Sequence, residues 1–75
     1  MRITVTAGSW AGRWVPGGES EIDLPVGTSI EDLLELLGIP AGEVGVVTSN
    51  GEAAPREAAL AESDVIRIFP MVIGG

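Results

Sequence analysis

Neither cysteine nor histidine occurs among the 75 residues. Without a thiol there is no disulfide, no thiolate metal site and no iron–sulfur cluster. Without an imidazole there is no Ser-His-Asp triad and no histidine base. Any sulfur chemistry must proceed without a side-chain thiol. Lysine is missing too: the 4 basic residues are all arginine, against 11 Asp and Glu, for a formal net charge of -7. That balance excludes nucleic acid and anionic membrane surfaces as partners, because neutralising phosphates takes clustered basic side chains. It suits a protein partner with a basic docking face. No apolar run approaches the ~20 residues that span a bilayer. Met1-Arg2-Ile3-Thr4 enters a strand-like alternation directly, with no n-region, h-region or cleavage site, so the expected location is the cytoplasm.

What is present describes one small domain. The apolar fraction of 45% and the absence of low-complexity runs argue for a folded chain. A domain of this length buries only roughly 60% of its unfolded surface, so its core is small.

Residues 2–7 alternate with period two, Ile3, Val5 and Ala7 on one face and Arg2, Thr4 and Thr6 on the other, which is a half-buried strand. Residues 8–19 are a long connection punctuated by Gly and Pro. Its Trp10 and Trp14 either fold over a sheet edge or core mouth or serve as partner anchors. Gly17-Gly18 lacks the Gly-Lys-Ser/Thr continuation of a phosphate cradle. Residues 20–24 form a second strand, antiparallel to the first, with Ile22 and Leu24 inward. Glu19, Glu21 and Asp23 face outward as a solvated acidic strip, since an acid/base pair needs burial or neighbours to separate its pKa values.

After Pro25-Val26-Gly27, Thr28 and Glu31 have capping-box spacing, with Thr28 as N-cap. Ile30, Leu33, Leu34 and Leu37 make one apolar helical stripe, Gly38 suits the position after the last turn, and Pro40 prevents resumption. A helix of about nine residues packed on a sheet follows from this pattern. Residues 44–48 are a third strand, and Asn50-Gly51 calls for a tight turn with positive φ at both residues. In the irregular residues 53–63, Pro55 rules out a long strand and Leu60 plugs the core. Residues 65–69 are the last strand, Ile66 and Ile68 inward, Val65, Arg67 and Phe69 outward. Pro70 ends it, having no N–H for the ladder. The order strand-strand-helix-strand-strand, with first and last strands adjacent and parallel, is an α+β arrangement of the β-grasp, or ubiquitin-like, kind. It predicts a mixed sheet of four to five strands packed on one main helix.

The domain should occupy residues 1–70 and leave residues 71–75, Met71-Val72-Ile73-Gly74-Gly75, as a flexible, unanchored tail. Apolar residues at a chain end are unfavourable in water unless a partner covers them. Five residues span at most ~18 Å, enough to carry a carboxylate into another protein's active site. Glycine suits such a narrow approach because it has no Cβ to obstruct it.

The Thr28-x-x-Glu31 helix start with Leu33-Leu34, the Asn50-Gly51 turn, and Leu60 ahead of Asp64-Val65-Ile66-Arg67-Ile68-Phe69-Pro70 resemble the ubiquitin-like sulfur carriers. So does the terminal Gly74-Gly75. These carriers are the small subunit of molybdopterin synthase and the thiamine-biosynthesis sulfur carrier. The resemblance covers essentially the whole chain, and Phe-Pro-x-Val-x-Gly-Gly is its most specific part. It implies that the Gly75 carboxylate is adenylated and converted to a thiocarboxylate, with Gly74 its required neighbour. It further implies that Phe69 lies in a docking surface with Arg67, Pro70, Met71, Val72 and Ile73. The implied partners are a ubiquitin-activating-type adenylating enzyme that uses ATP and Mg, a large synthase subunit (molybdopterin synthase or thiazole synthase), and a sulfur donor such as a cysteine desulfurase. The chain itself would bind no cofactor and catalyse nothing alone.

Some positions depart from the family pattern. Met71 stands where a second proline is common, Ile73 where a small residue is usual, and Glu62-Ser63-Asp64 replaces a typical Asp-Gly-Asp. Phe69-Pro70 is closer to the molybdopterin subunit, and Pro55-Arg56-Glu57 to the thiamine carriers. Two other classes share the fold: a ubiquitin-like modifier conjugated to lysines, and a plain β-grasp binding module. A β-grasp ferredoxin is excluded by the missing cysteines.

Overall fold

The computed structural model describes residues 1–72. Strands β1 (Arg2–Ala7), β2 (Glu19–Asp23), β3 (Val44–Ser49), β4 (Glu52–Ala53) and β5 (Val65–Pro70) and helix α1 (Ile30–Leu37) follow the expected order. The strands form one mixed sheet in the order β2-β1-β5-β3-β4. β1 runs antiparallel to β2 and parallel to β5, and β5 is antiparallel to β3. This is the β-grasp fold, with the short β4 as its fifth strand.

Burial follows the alternation. Ile3 and Val5 of β1, Ile66 and Ile68 of β5, and Val44 and Val47 of β3 face α1, which answers with Ile30, Leu33 and Leu34. Fully burying such a side chain stabilises the fold by about 1.5–3 kcal/mol. Leu60 closes one end of this core, as the sequence implied. Val15 is as buried as any strand residue although it lies in the Gly/Pro-rich connection, where two short 3-10 turns, Ser9–Ala11 and Pro16–Gly18, fold it inward.

The helix starts one residue later than expected. Ser29, not Thr28, is the N-cap: its Oγ accepts from Asp32 N–H and Asp32 Oδ2 accepts from Ser29 N–H, both at 3.1 Å. Thr28 is committed elsewhere. Its hydroxyl donates to Pro25 O at 2.7 Å and its carbonyl accepts from Leu60 N–H at 2.9 Å. Ala58 O and Arg56 O accept from Ile30 N–H and Glu31 N–H, so the irregular segment satisfies the first donors of the helix. Gly38 ends the helix with φ of 81°.

The Asn50-Gly51 turn has φ of 52° and 88°, the positive pair the sequence required. The last strand runs further than expected, through Pro70, which pairs with Val44. A proline loses only its own N–H; its carbonyl and the next amide remain available. Met71 N–H donates to Glu43 O at 2.9 Å, so the first tail residue is anchored to the domain. No helix among the described residues is long and apolar enough to cross a membrane.

Candidate functional site: the root of the C-terminal tail

The sheet face opposite α1 carries the outward residues of β5. Arg67 lies in register between Thr6 of β1 and Thr48 of β3. Its guanidinium carbon sits 5.4 Å from the centre of the Phe69 ring, within cation–π range, and Phe69 is 39% exposed. Val65 is exposed on the same strand.

The pairing register places a further residue beside Phe69. Val44 pairs with Pro70 and Val47 with Ile68, so Phe69 alone faces both Gly45 and Val46, a β-bulge. The extra residue turns Val46 outward, 51% exposed, next to Phe69. Val46 extends the apolar patch around Phe69 and was not anticipated, but Gly45 was a usable signal: a glycine inside a strand marks a bulge or a close backbone approach.

Past Pro70 the strand ends. Pro70 is half-buried, Met71 is 50% exposed and Val72 79% exposed. A groove lined by Trp10, Gly42, Glu43, Pro70 and Met71 lies beside this exit. Trp10 and Trp14 are half-buried against the edge of the core, their ring centres 6.3 Å apart. They cover the core mouth, the first of the two roles open to them. The indole N–H of Trp10 is buried with no partner among the described residues. The structure thus brings Arg67, Phe69, Pro70, Met71 and Val72 together at one end of β5. Ile73, Gly74 and Gly75 lie outside the described residues.

The acidic strip on β2 is solvated and partly tied to one arginine. Arg2 Nε and Nη2 donate to the two oxygens of Asp23 at 3.0 and 3.2 Å, and Arg2 Nη1 lies 3.7 Å from Glu21. Hydrogen bonding to Arg2, then its charge, holds the Asp23 carboxyl below its usual range.

The sequence model of the ThiS family matches residues 12–75. Comparison with curated proteins gave no match. Among solved structures, the chain is similar to SAMP1 from Haloferax volcanii, with 22% identity over 100% of both chains and a TM-score of 0.77. It is also similar to a putative molybdopterin converting factor, subunit 1, from Pyrococcus furiosus, with 23% identity over 96% of this chain and 99% of that one and a TM-score of 0.79. A third likeness is to the complex of subunits 1 and 2 of the molybdopterin-converting factor from Helicobacter pylori, with 19% identity, full coverage of both chains and a TM-score of 0.65. At these identities the likeness speaks for the fold.

Proposed function

The chain belongs to the ThiS family, and on that premise we propose that it is a sulfur carrier whose cargo is held on Gly75. A carboxylate is a poor electrophile. A ubiquitin-activating-type adenylating enzyme, using ATP and Mg, would join the Gly75 carboxylate to AMP with release of pyrophosphate. A persulfide carrying sulfur from a cysteine desulfurase would then displace AMP to form an acyl disulfide, and a thiol reductant would cleave it to the thiocarboxylate, leaving with the former persulfide thiol as a disulfide. The adenylating enzyme and a synthase supply catalysis; this chain supplies the acyl group and the docking face, binds no cofactor and works in the cytoplasm. The observation that carries the reading is the end of β5. Phe69, Arg67 and Val46 present an exposed patch there, and the apolar Met71 and Val72 leave the sheet beside it uncovered.

Molybdopterin, or its tungsten counterpart, is the proposed destination of the sulfur, and a large synthase subunit the acceptor. The Phe69-Pro70 ending and the likeness to the two molybdopterin converting factor structures support this. Thiamine thiazole formation is the alternative pathway, favoured by Pro55-Arg56-Glu57. The likeness to SAMP1, a small archaeal modifier protein, favours a second reading as a protein modifier. The same tail would serve it, although a chain without lysine cannot form lysine-linked polymers of itself.

Intact mass after incubation with ATP, the host's adenylating enzyme and a sulfur donor tests the proposal. Replacement of one oxygen by sulfur at Gly75 is the expected result, and Gly75→Ala should sharply reduce it while leaving the melting temperature nearly unchanged. Covalent adducts with other proteins in place of that gain would support the modifier. No change of either kind would leave a β-grasp module without carrier function.

A further inference from the structure

We propose that Gly45 is the positioning residue that sets the direction in which the tail leaves the sheet, an inference that rests on the sulfur-carrier reading. A Cβ placed on Gly45 would lie 2.5 Å from Pro70 O, 3.0 Å from Pro70 C and 3.2 Å from Met71 Cα. All three atoms are backbone, and all belong to the tail root. No rotamer change relieves such a contact; the strands must separate.

The reason for the close approach lies in the bulge. Two β3 residues, Gly45 and Val46, face Phe69 alone, and this bends β3 towards the end of β5. Met71 N–H points at β3, so the nitrogen of Pro70 points away from it and the proline removes no bond of this ladder. Met71 N–H donates to Glu43 O at 2.9 Å, the next rung of the register that pairs Val44 with Pro70, beside the place where a Cβ on Gly45 would meet Pro70 O. A glycine at position 45 therefore leaves room for Pro70 and Met71 to stay on this ladder, where a Cβ would push them away. The docking patch and the tail exit are kept in fixed relation: Phe69 and Val46 belong to the bulge itself, and the Met71 anchor follows two residues after Phe69.

A side chain at position 45 should move the exit while leaving Phe69 and Arg67 on the exposed face. A partner would still bind the domain but receive the Gly75 carboxylate out of line, and misplacing a reacting group by ~1 Å can cost about 100-fold in rate. Gly42 provides the matched control. It lies in the same approach to β3, and a Cβ there would meet nothing within 4 Å.

Gly45→Ala and Gly42→Ala are compared with the unaltered chain by amide hydrogen exchange at Met71 and by the steady-state kinetics of adenylation with the host's adenylating enzyme. For Gly45→Ala the expected result is loss of Met71 amide protection by about tenfold or more. With it, KM should stay within about twofold and kcat should fall by about tenfold or more. Gly42→Ala should match the unaltered chain in both. Wild-type kcat in Gly45→Ala, or unchanged Met71 protection, overturns the proposal. So does a chain that no longer folds, since Gly45 would then serve the domain rather than the tail. If the unaltered chain is never adenylated, the carrier reading fails by itself, and exchange at Met71 alone decides whether Gly45 places the exit.

Discussion

The Asn50 side chain joins the turn after β3 to the start of β5: its Nδ2 donates to Asp64 Oδ1 and its Oδ1 accepts from Val65 N–H, both at 2.9 Å. Asn50 N–H donates to Val65 O at the same distance, and Asp64 Oδ2 accepts from Ala61 N–H. Asn50→Gly keeps the positive φ and loses the side-chain bonds, so it should cost about 1–3 kcal/mol. Asn50→Ala loses the bonds and adds left-handed strain, for a further ~1 kcal/mol. Urea unfolding of the two variants separates the terms; equal stability of Asn50→Ala and the unaltered chain would show that the clamp does not matter.

Ser63 is a second residue in left-handed conformation, at φ of 68°. The related carriers typically have glycine there, in Asp-Gly-Asp, which is what this backbone prefers. Ser63→Gly should relieve about 1–2 kcal/mol of strain and give back part of it through the freer unfolded chain. A net gain of a few tenths to about 1 kcal/mol in thermal or urea unfolding is expected. A loss of stability would mean that the serine makes up for its conformation in some other way.

Phe69 is exposed enough that removing its ring should barely alter the melting temperature. Phe69→Ala should nevertheless weaken binding to the adenylating enzyme by more than ~1 kcal/mol, measured by calorimetry. Unchanged affinity would return Phe69 to the ordinary apolar residues that every protein surface carries.

The pair between Arg2 and Asp23 gives a pH dependence with a definite sign. The folded-state pKa of Asp23 is lowered from 3.8, so its contribution is fully present above that value and is lost as pH falls through the folded pKa. Asp23→Asn should be less stable than the unaltered chain at neutral pH. The gap should close as the solution is acidified below 3.8, and shrink in ~0.5 M salt because the pair is open to solvent. A gap independent of both pH and salt would point to packing rather than charge.

Local patterns in the chain predicted the strands, the helix and the hairpin turn because each depends on near neighbours. The errors arose where a distant segment decided between local options. Thr28–Glu31 and Ser29–Asp32 are overlapping capping boxes with the same spacing, and the choice falls to Ser29 because Thr28 is held by Pro25 and by Leu60, 32 residues away. Pro70 reads as a strand stop, yet the carbonyl of Glu43 captures the amide beyond it. Val15, flanked by Trp14 and Pro16, has no period of its own and becomes core only through the two turns around it. At the candidate site, the outward placement of Arg67 and Phe69 was legible from alternation. Val46 was missed because a bulge shifts the alternation by one residue; Gly45 hinted at the bulge, and the pairing with the partner strand fixes its place.

The tail is an extension of β5, and β5 lies in the middle of the sheet, bonded to β1 on one side and β3 on the other. Tension applied through Val72 along the strand loads both ladders in shear, so their hydrogen bonds must fail together rather than unzip singly as at an edge such as β4. If the proposed partners draw the tail into a channel, the domain would transmit that pull as a rigid handle.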